Sequence, residues 1–164
     1  KVFSSYVSFY DPYLSSGIEK TFGIKRFDTL KDLLKDSDVV TIHTPLTKET
    51  KGMVDLDFIS NIKKNSILIN VSRGPIIKHN DIVLKALEDN LISGYGTDVF
   101  TEEPPNTEDK LYKCWVNKHE ISNKIIINPH TSYFSEEAIK ECREKASLNI
   151  LNIIKDLKIR NRII

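Results

Sequence analysis

Two cysteines, Cys114 and Cys142, serve all 164 residues, and they stand far apart in no metal-binding or redox spacing. That scarcity argues against a disulfide scaffold and leaves two reduced thiols in an intracellular protein as the expectation. Long apolar runs are missing too. Stretches such as 125–127 fall far short of the roughly 20 residues needed to cross a bilayer. No block of like charge occurs: 24 basic and 23 acidic residues are interspersed, for a net charge of +1. No basic field therefore recruits nucleic acid. Internal repeats and low-complexity tracts are absent. The chain opens on Lys1-Val2-Phe3, without Met or a signal peptide, so a fragment of a longer polypeptide is expected. What remains is ordinary for a globular domain: 40% hydrophobic and 29% charged residues, enough chain for one domain with a real core.

Short β-branched runs alternate with amphipathic stretches, the pattern of βαβ units on a parallel sheet. Strands are predicted at 7–10, 24–27, 39–43, 66–71, 92–99 and 125–128. Helices are predicted at 16–22, stopped by Gly23, at 29–35 with Thr29 as N-cap, and at 57–63. Another follows from Asn80 as N-cap, and a last one from Ser135, with Glu136 and Glu137 at its positive end. The strand at 39–43 reads as buried. Gly94 and Gly96 suggest a close backbone approach. Residues 101–123 read as a long polar loop. The final helix carries an apolar face of Ala138, Ile139, Cys142, Ile150, Ile153, Ile154 and Leu157.

Several strand ends carry residues with chemical potential. Asp11 follows the first strand and precedes Pro12. In a dinucleotide fold an acid there accepts hydrogen bonds from ribose hydroxyls and repels a 2′-phosphate, which favours NAD over NADP. An Asp-Pro step is also a common turn. Arg73 lies two residues past Val71. A guanidinium fork binds a carboxylate with two hydrogen bonds and polarises an adjacent carbonyl, a geometry that lysine does not reproduce. Surface capping is the plainer use of such an Arg. His130 follows Pro129 at the end of the last strand, where an imidazolium can donate a proton near neutral pH. A lone Pro-His is more often structural. Glu103 lies five residues beyond Asp98 and directly before Pro104, with Glu102 a competitor if the loop slips by one. A carboxylate on the far nitrogen of a His fixes its tautomer and favours its charged form. His43 more often satisfies a backbone group than does chemistry.

Taken together, YDP at Asp11, HTPL at 43–46, NVSRG at Arg73, TDVFTEEP at Glu103 and NPH at His130 resemble the NAD-binding domain of D-isomer-specific 2-hydroxyacid dehydrogenases. FYDPYLSSGIE (9–19) and PHTSYFSEEA (129–138) resemble its C-terminal-binding-protein branch. The resemblance implies a Rossmann-like, doubly wound α/β domain that binds NAD, with Arg73, Glu103 and His130 as the catalytic set. Cofactor-binding residues would be Asp11, Thr44, Pro45, Leu46, Thr50, Val71, Ser72, Arg73, Asp98, His130, Ser132 and Tyr133, with Thr131 near the nicotinamide half. No metal is expected. Tyr133 and Phe134 stand where that branch has an aromatic pair, lining the substrate pocket or packing in the core. The implied partners are a small 2-hydroxy or 2-oxo acid and a second subunit joined through this domain, with no direct nucleic-acid or membrane contact. The compartment implied is the cytoplasm, or the nucleus for an NAD(H)-sensing corepressor scaffold. A domain that only dimerises is the third reading.

Some of the family pattern is missing. Lys78 stands where an acid usually starts the next helix, so the cap is expected to move to Asn80, and Pro75 breaks the usual small-residue pattern. The G-x-G-x-x-G phosphate loop occurs nowhere. Residues 1–3 align with the tail of the helix that follows that loop, so the preceding central strand is missing as well. Its loss leaves a gap of about 10 Å between the strands at 7–10 and 39–43, with unpaired backbone on both sides, unless those strands pair directly. The family's substrate domain is also absent, so the fragment alone is expected to be inactive.

Overall fold

The computed structural model describes residues 5–159; residues 1–3, aligned above with a helix tail, lie outside that range. The chain divides after Pro129 into two compact units. In the first, β1 (Ser8–Phe9) and β2 (Lys25–Arg26) form a parallel pair joined through α1 (Ile18–Phe22). Gly23, left-handed at φ 61°, ends α1 as expected. Four more strands form a second parallel sheet in chain order: β3 (Val39–Ile42), β4 (Ser66–Asn70), β5 (Ile92–Thr97) and β6 (Ile125–Ile127). Helices connect them: α2 (Leu30–Asp36) precedes β3, α3 (Leu56–Asn61) precedes β4, α4 (Asn80–Glu88) precedes β5 and α5 (Lys110–Val116) precedes β6. This is the parallel α/β architecture read from the alternating pattern.

Among the described residues β1 pairs only with β2, and β3 only with β4. The two strands expected to flank a missing one therefore do not pair with each other. Among the described residues the other edge of β3 has no ladder, and the strand's burial alternates, with Val39 51% exposed and Val40 and Ile42 buried. The wholly buried strand expected there is thus corrected: a strand with one ladder and one covered face reads with period two.

The core gathers where α3 and α4 cover the sheet: Phe58, Ile59, Leu68, Val83, Leu87, Ile92 and Tyr95 belong to one buried cluster. Residues 101–123 are not one loop. Asp109 accepts a hydrogen bond from Tyr112 N and starts α5, which buries Leu111 and packs Cys114 and Trp115 against the core. The Asp cap ahead of Leu111 is the signal that the loop reading passed over. His79, not Asn80, is the N-cap of α4. The Asn80 amide is drawn instead to Asp109, 2.8 Å away, and so ties α4 to α5. Thr29 and Ser135 do cap α2 and α6 (Glu136–Ile154). The second unit is built on α6, which has no buried residue along its length: Ile150, Ile153 and Ile154 are exposed, and Ala138 and Ile139 half-buried.

Tyr95 makes a stability prediction. Burial pushes its phenol from the usual 10 up to about 12. The folded state thus resists an ionisation that the unfolded chain undergoes at lower pH. The stabilisation is complete below pH 10 and is lost as pH rises towards 12, by roughly 3 kcal/mol. In urea titrations between pH 9 and 12, Tyr95→Phe is expected to remove most of that slope; an unchanged slope contradicts it.

Candidate active site at the carboxyl ends of the strands

Because the strands are parallel, their carboxyl ends share one edge of each sheet, the edge where ligands sit in open α/β folds. Asp11 follows β1 by two residues. Its Oδ1 accepts from Tyr13 N at 2.8 Å and Leu14 N at 3.3 Å, so the turn-forming use of the Asp is realised. Its second carboxylate oxygen has no partner among the described residues. The Tyr13 hydroxyl donates to the Glu49 carboxylate and ties this turn to the loop after β3.

That loop holds residues 43–50. His43 Nε2 pairs with Thr41 Oγ1 at 3.0 Å, not with a backbone group as expected. Thr50 Oγ1 donates to Pro45 O at 2.6 Å and accepts from Thr47 N at 2.8 Å, so this hydroxyl braces the loop itself. Leu46 is 41% exposed. Thr44 differs from these: its carbonyl accepts from Ser72 Oγ, while its own Oγ1 is buried without a partner among the described residues. A buried orphan hydroxyl is rare and costly unless something polar satisfies it. A bound dinucleotide can supply such a group, so the residues at this edge fit the cofactor.

Val71, Ser72 and Arg73 follow β4. The exposed Arg73 is extended, and its Nη1 turns back to Ser72 O at 2.7 Å. Beyond that bond the fork is uncommitted among the described residues. Gly74 begins a short 3₁₀ turn with Pro75, where a missing N–H costs nothing; the departure at Pro75 is thereby absorbed. A Cβ on Gly74 would lie 1.6 Å from Phe100 O. The loops after β4 and β5 therefore touch backbone to backbone. This is the close approach expected at Gly94 and Gly96, where an added Cβ would meet only ordinary contacts at 3.5 and 3.7 Å.

Asp98 follows β5, is buried, and donates its N–H to Asn70 O at 3.0 Å. Further along that loop, Glu103 Oε1 accepts from Phe100 N at 2.9 Å. The first unit thus brings the Arg73 and Glu103 loops together through Gly74 and Phe100. Sequence reading missed Asn70, a fully buried polar residue at the end of β4.

His130 opens the second unit. Its backbone is left-handed at φ 56°, uncommon outside glycine and concentrated at functional positions. The His130 ring meets Tyr133 edge-on at 6.3 Å, and Tyr133 meets Phe134 at 6.5 Å. Tyr133 and Phe134 are 66% and 64% exposed, so the core-packing reading of this pair fails. Ser132 is exposed beside them.

The family model for the NAD binding domain of D-isomer specific 2-hydroxyacid dehydrogenases matches residues 1–132. The chain belongs to that family. It is 34% identical over 163 residues to D-3-phosphoglycerate dehydrogenase of Bacillus subtilis (strain 168), covering 99% of this chain and 29% of that one. It is also 34% identical over 164 residues to D-lactate dehydrogenase of Streptococcus pyogenes serotype M1, covering 94% of this chain and 48% of the other. Among solved structures, D-lactate dehydrogenase from Aquifex aeolicus, complexed with NAD and lactic acid, superposes with a TM-score of 0.80. Its sequence is 28% identical, with 94% of this chain and 48% of that one covered. The chain therefore spans less than half the length of each of these relatives.

Proposed function

We propose that the whole protein is an NAD-dependent oxidoreductase interconverting a D-2-hydroxy acid and its 2-oxo acid, and that this domain alone is inactive. The observation that carries the reading is the uncommitted Arg73 fork on a loop whose backbone touches the Glu103 loop. When bound, NAD supplies the hydride chemistry. Asp11 accepts from ribose hydroxyls through its free carboxylate oxygen. Thr44, Pro45, Leu46 and Thr50 form one wall of the cofactor crevice, and Val71, Ser72 and Asp98 another, with Asp98 towards the carboxamide. For the nicotinamide the proposed contacts are His130, Ser132 and Tyr133. Arg73 grips the substrate carboxylate with two hydrogen bonds and polarises the neighbouring carbonyl. His130 donates a proton to the carbonyl oxygen during reduction and takes it back during oxidation. Glu103 orients the imidazole and stabilises its charged form. Further residues, from the family's substrate domain, close the pocket and exclude water.

The test is NADH oxidation by the whole protein against a panel of 2-oxo acids. Saturable turnover is the expected result. NADH binding without turnover on any acid instead supports an NAD(H)-sensing, dimerising scaffold of the corepressor type. No NADH binding at all overturns both readings and leaves a domain that only dimerises.

A further inference from the structure

Asn70 is fully buried at the carboxyl end of β4, and both ends of its side-chain amide are directed to the loop that carries Arg73. Its Nδ2 donates to Arg73 O at 3.0 Å, and its Oδ1 accepts from Ser72 N at 3.1 Å. Its backbone carbonyl accepts from Asp98 N at 3.0 Å and from Thr97 Oγ1 at 3.3 Å, which ties the same residue to the exit of β5. A buried amide can satisfy itself on many neighbours. This one makes no other side-chain hydrogen bond among the described residues.

We infer that Asn70 is a positioning residue for Arg73: it sets the backbone from which the guanidinium reaches the substrate carboxylate, an assignment that rests on the function proposed above. The amide is needed at both ends. A leucine of similar shape loses both bonds. An aspartate keeps the acceptor for Ser72 N but places a negative oxygen against Arg73 O. A tilt of a few degrees in the Ser72–Arg73 backbone is amplified along the arginine side chain, so a two-pronged grip on a carboxylate becomes a single one.

The experiment compares the whole protein with its Asn70→Asp variant. It measures KM and kcat for a 2-oxo acid, NADH affinity by fluorescence, and the affinity of the NADH-loaded protein for oxamate, an unreactive 2-oxo acid analogue. Asn70→Asp is expected to raise KM and weaken oxamate binding by about tenfold, as losing one buried hydrogen bond implies. NADH affinity should fall clearly less than oxamate affinity, because aspartate keeps the acceptor for Ser72 N on the cofactor wall and loses only the donor to Arg73 O. In an Arg73→Ala background the same change should add nothing further. Equal weakening of NADH and oxamate, an undiminished effect in the Arg73→Ala background, or no effect at all overturns the inference. So does failure of both Asn70→Asp and Asn70→Ser to fold, which makes Asn70 a scaffold residue. A parent protein that turns over its acid while Asn70→Asp matches it sinks only this inference. A parent that neither turns over nor binds oxamate sinks the proposed function, and this inference with it.

Discussion

Replacing His130 by Asn is expected to lower kcat/KM for the 2-oxo acid by about 10²- to 10⁴-fold, the usual contribution of a positioned general acid. Asparagine is the informative substitute because it tolerates the left-handed backbone that His130 adopts at φ 56°. Alanine there would mix backbone strain with the loss of the imidazole. NADH affinity and thermal midpoint should be near those of the parent protein. The pH dependence sharpens the test. Reduction takes up the proton that His130 is proposed to donate and oxidation releases it, so the parent's rates in the two directions should respond oppositely to pH. The variant should lose that opposition along with its rate. An Asn variant that keeps most of its activity removes His130 from the chemistry.

Gly74→Ala should be among the most damaging single-methyl changes in the domain. The new Cβ would sit 1.6 Å from Phe100 O and 1.9 Å from Phe100 C. Both are backbone atoms, so no side chain can rotate away. One of the two loops has to move, at an expected cost of about 3 kcal/mol or more in urea denaturation. The movement also displaces Arg73, the preceding residue, relative to the Phe100–Glu103 segment. Activity should therefore fall further than the loss of folded protein explains. Gly96→Ala is the control. Its Cβ would meet Ile69 at 3.7 Å, an ordinary contact, and its effect should lie within about 1 kcal/mol. Equal mildness at both glycines contradicts the close approach on which the Arg73–Glu103 arrangement depends.

Much of this was legible in the residues, for identifiable reasons. The strands showed because parallel sheets collect β-branched runs between helical stretches, as at 39–42 and 66–70. Thr29, Gly23 and Ser135 revealed helix ends because capping is local chemistry read within one turn. The misses were decisions taken by tertiary context. The Asn80 amide turned to Asp109, a partner 29 residues away, so local cap propensity lost. Helix α5 hid in a polar segment because its burial rests mainly on Leu111 and Trp115. The glycines at 94 and 96 were credited with an approach that belongs to Gly74, because spacing between two loops is invisible along one chain. Asn70 went unnoticed for a related reason: nothing in NVSRG distinguishes the residue that touches a substrate from the one that holds it.

The configuration of the product tests the central claim most directly. With NADH and whichever 2-oxo acid turns over, the whole protein should yield the D-2-hydroxy acid alone, resolved by chiral chromatography, and oxidise only that enantiomer in reverse. An L product or a racemate would contradict the account, which proposes a D-specific reaction.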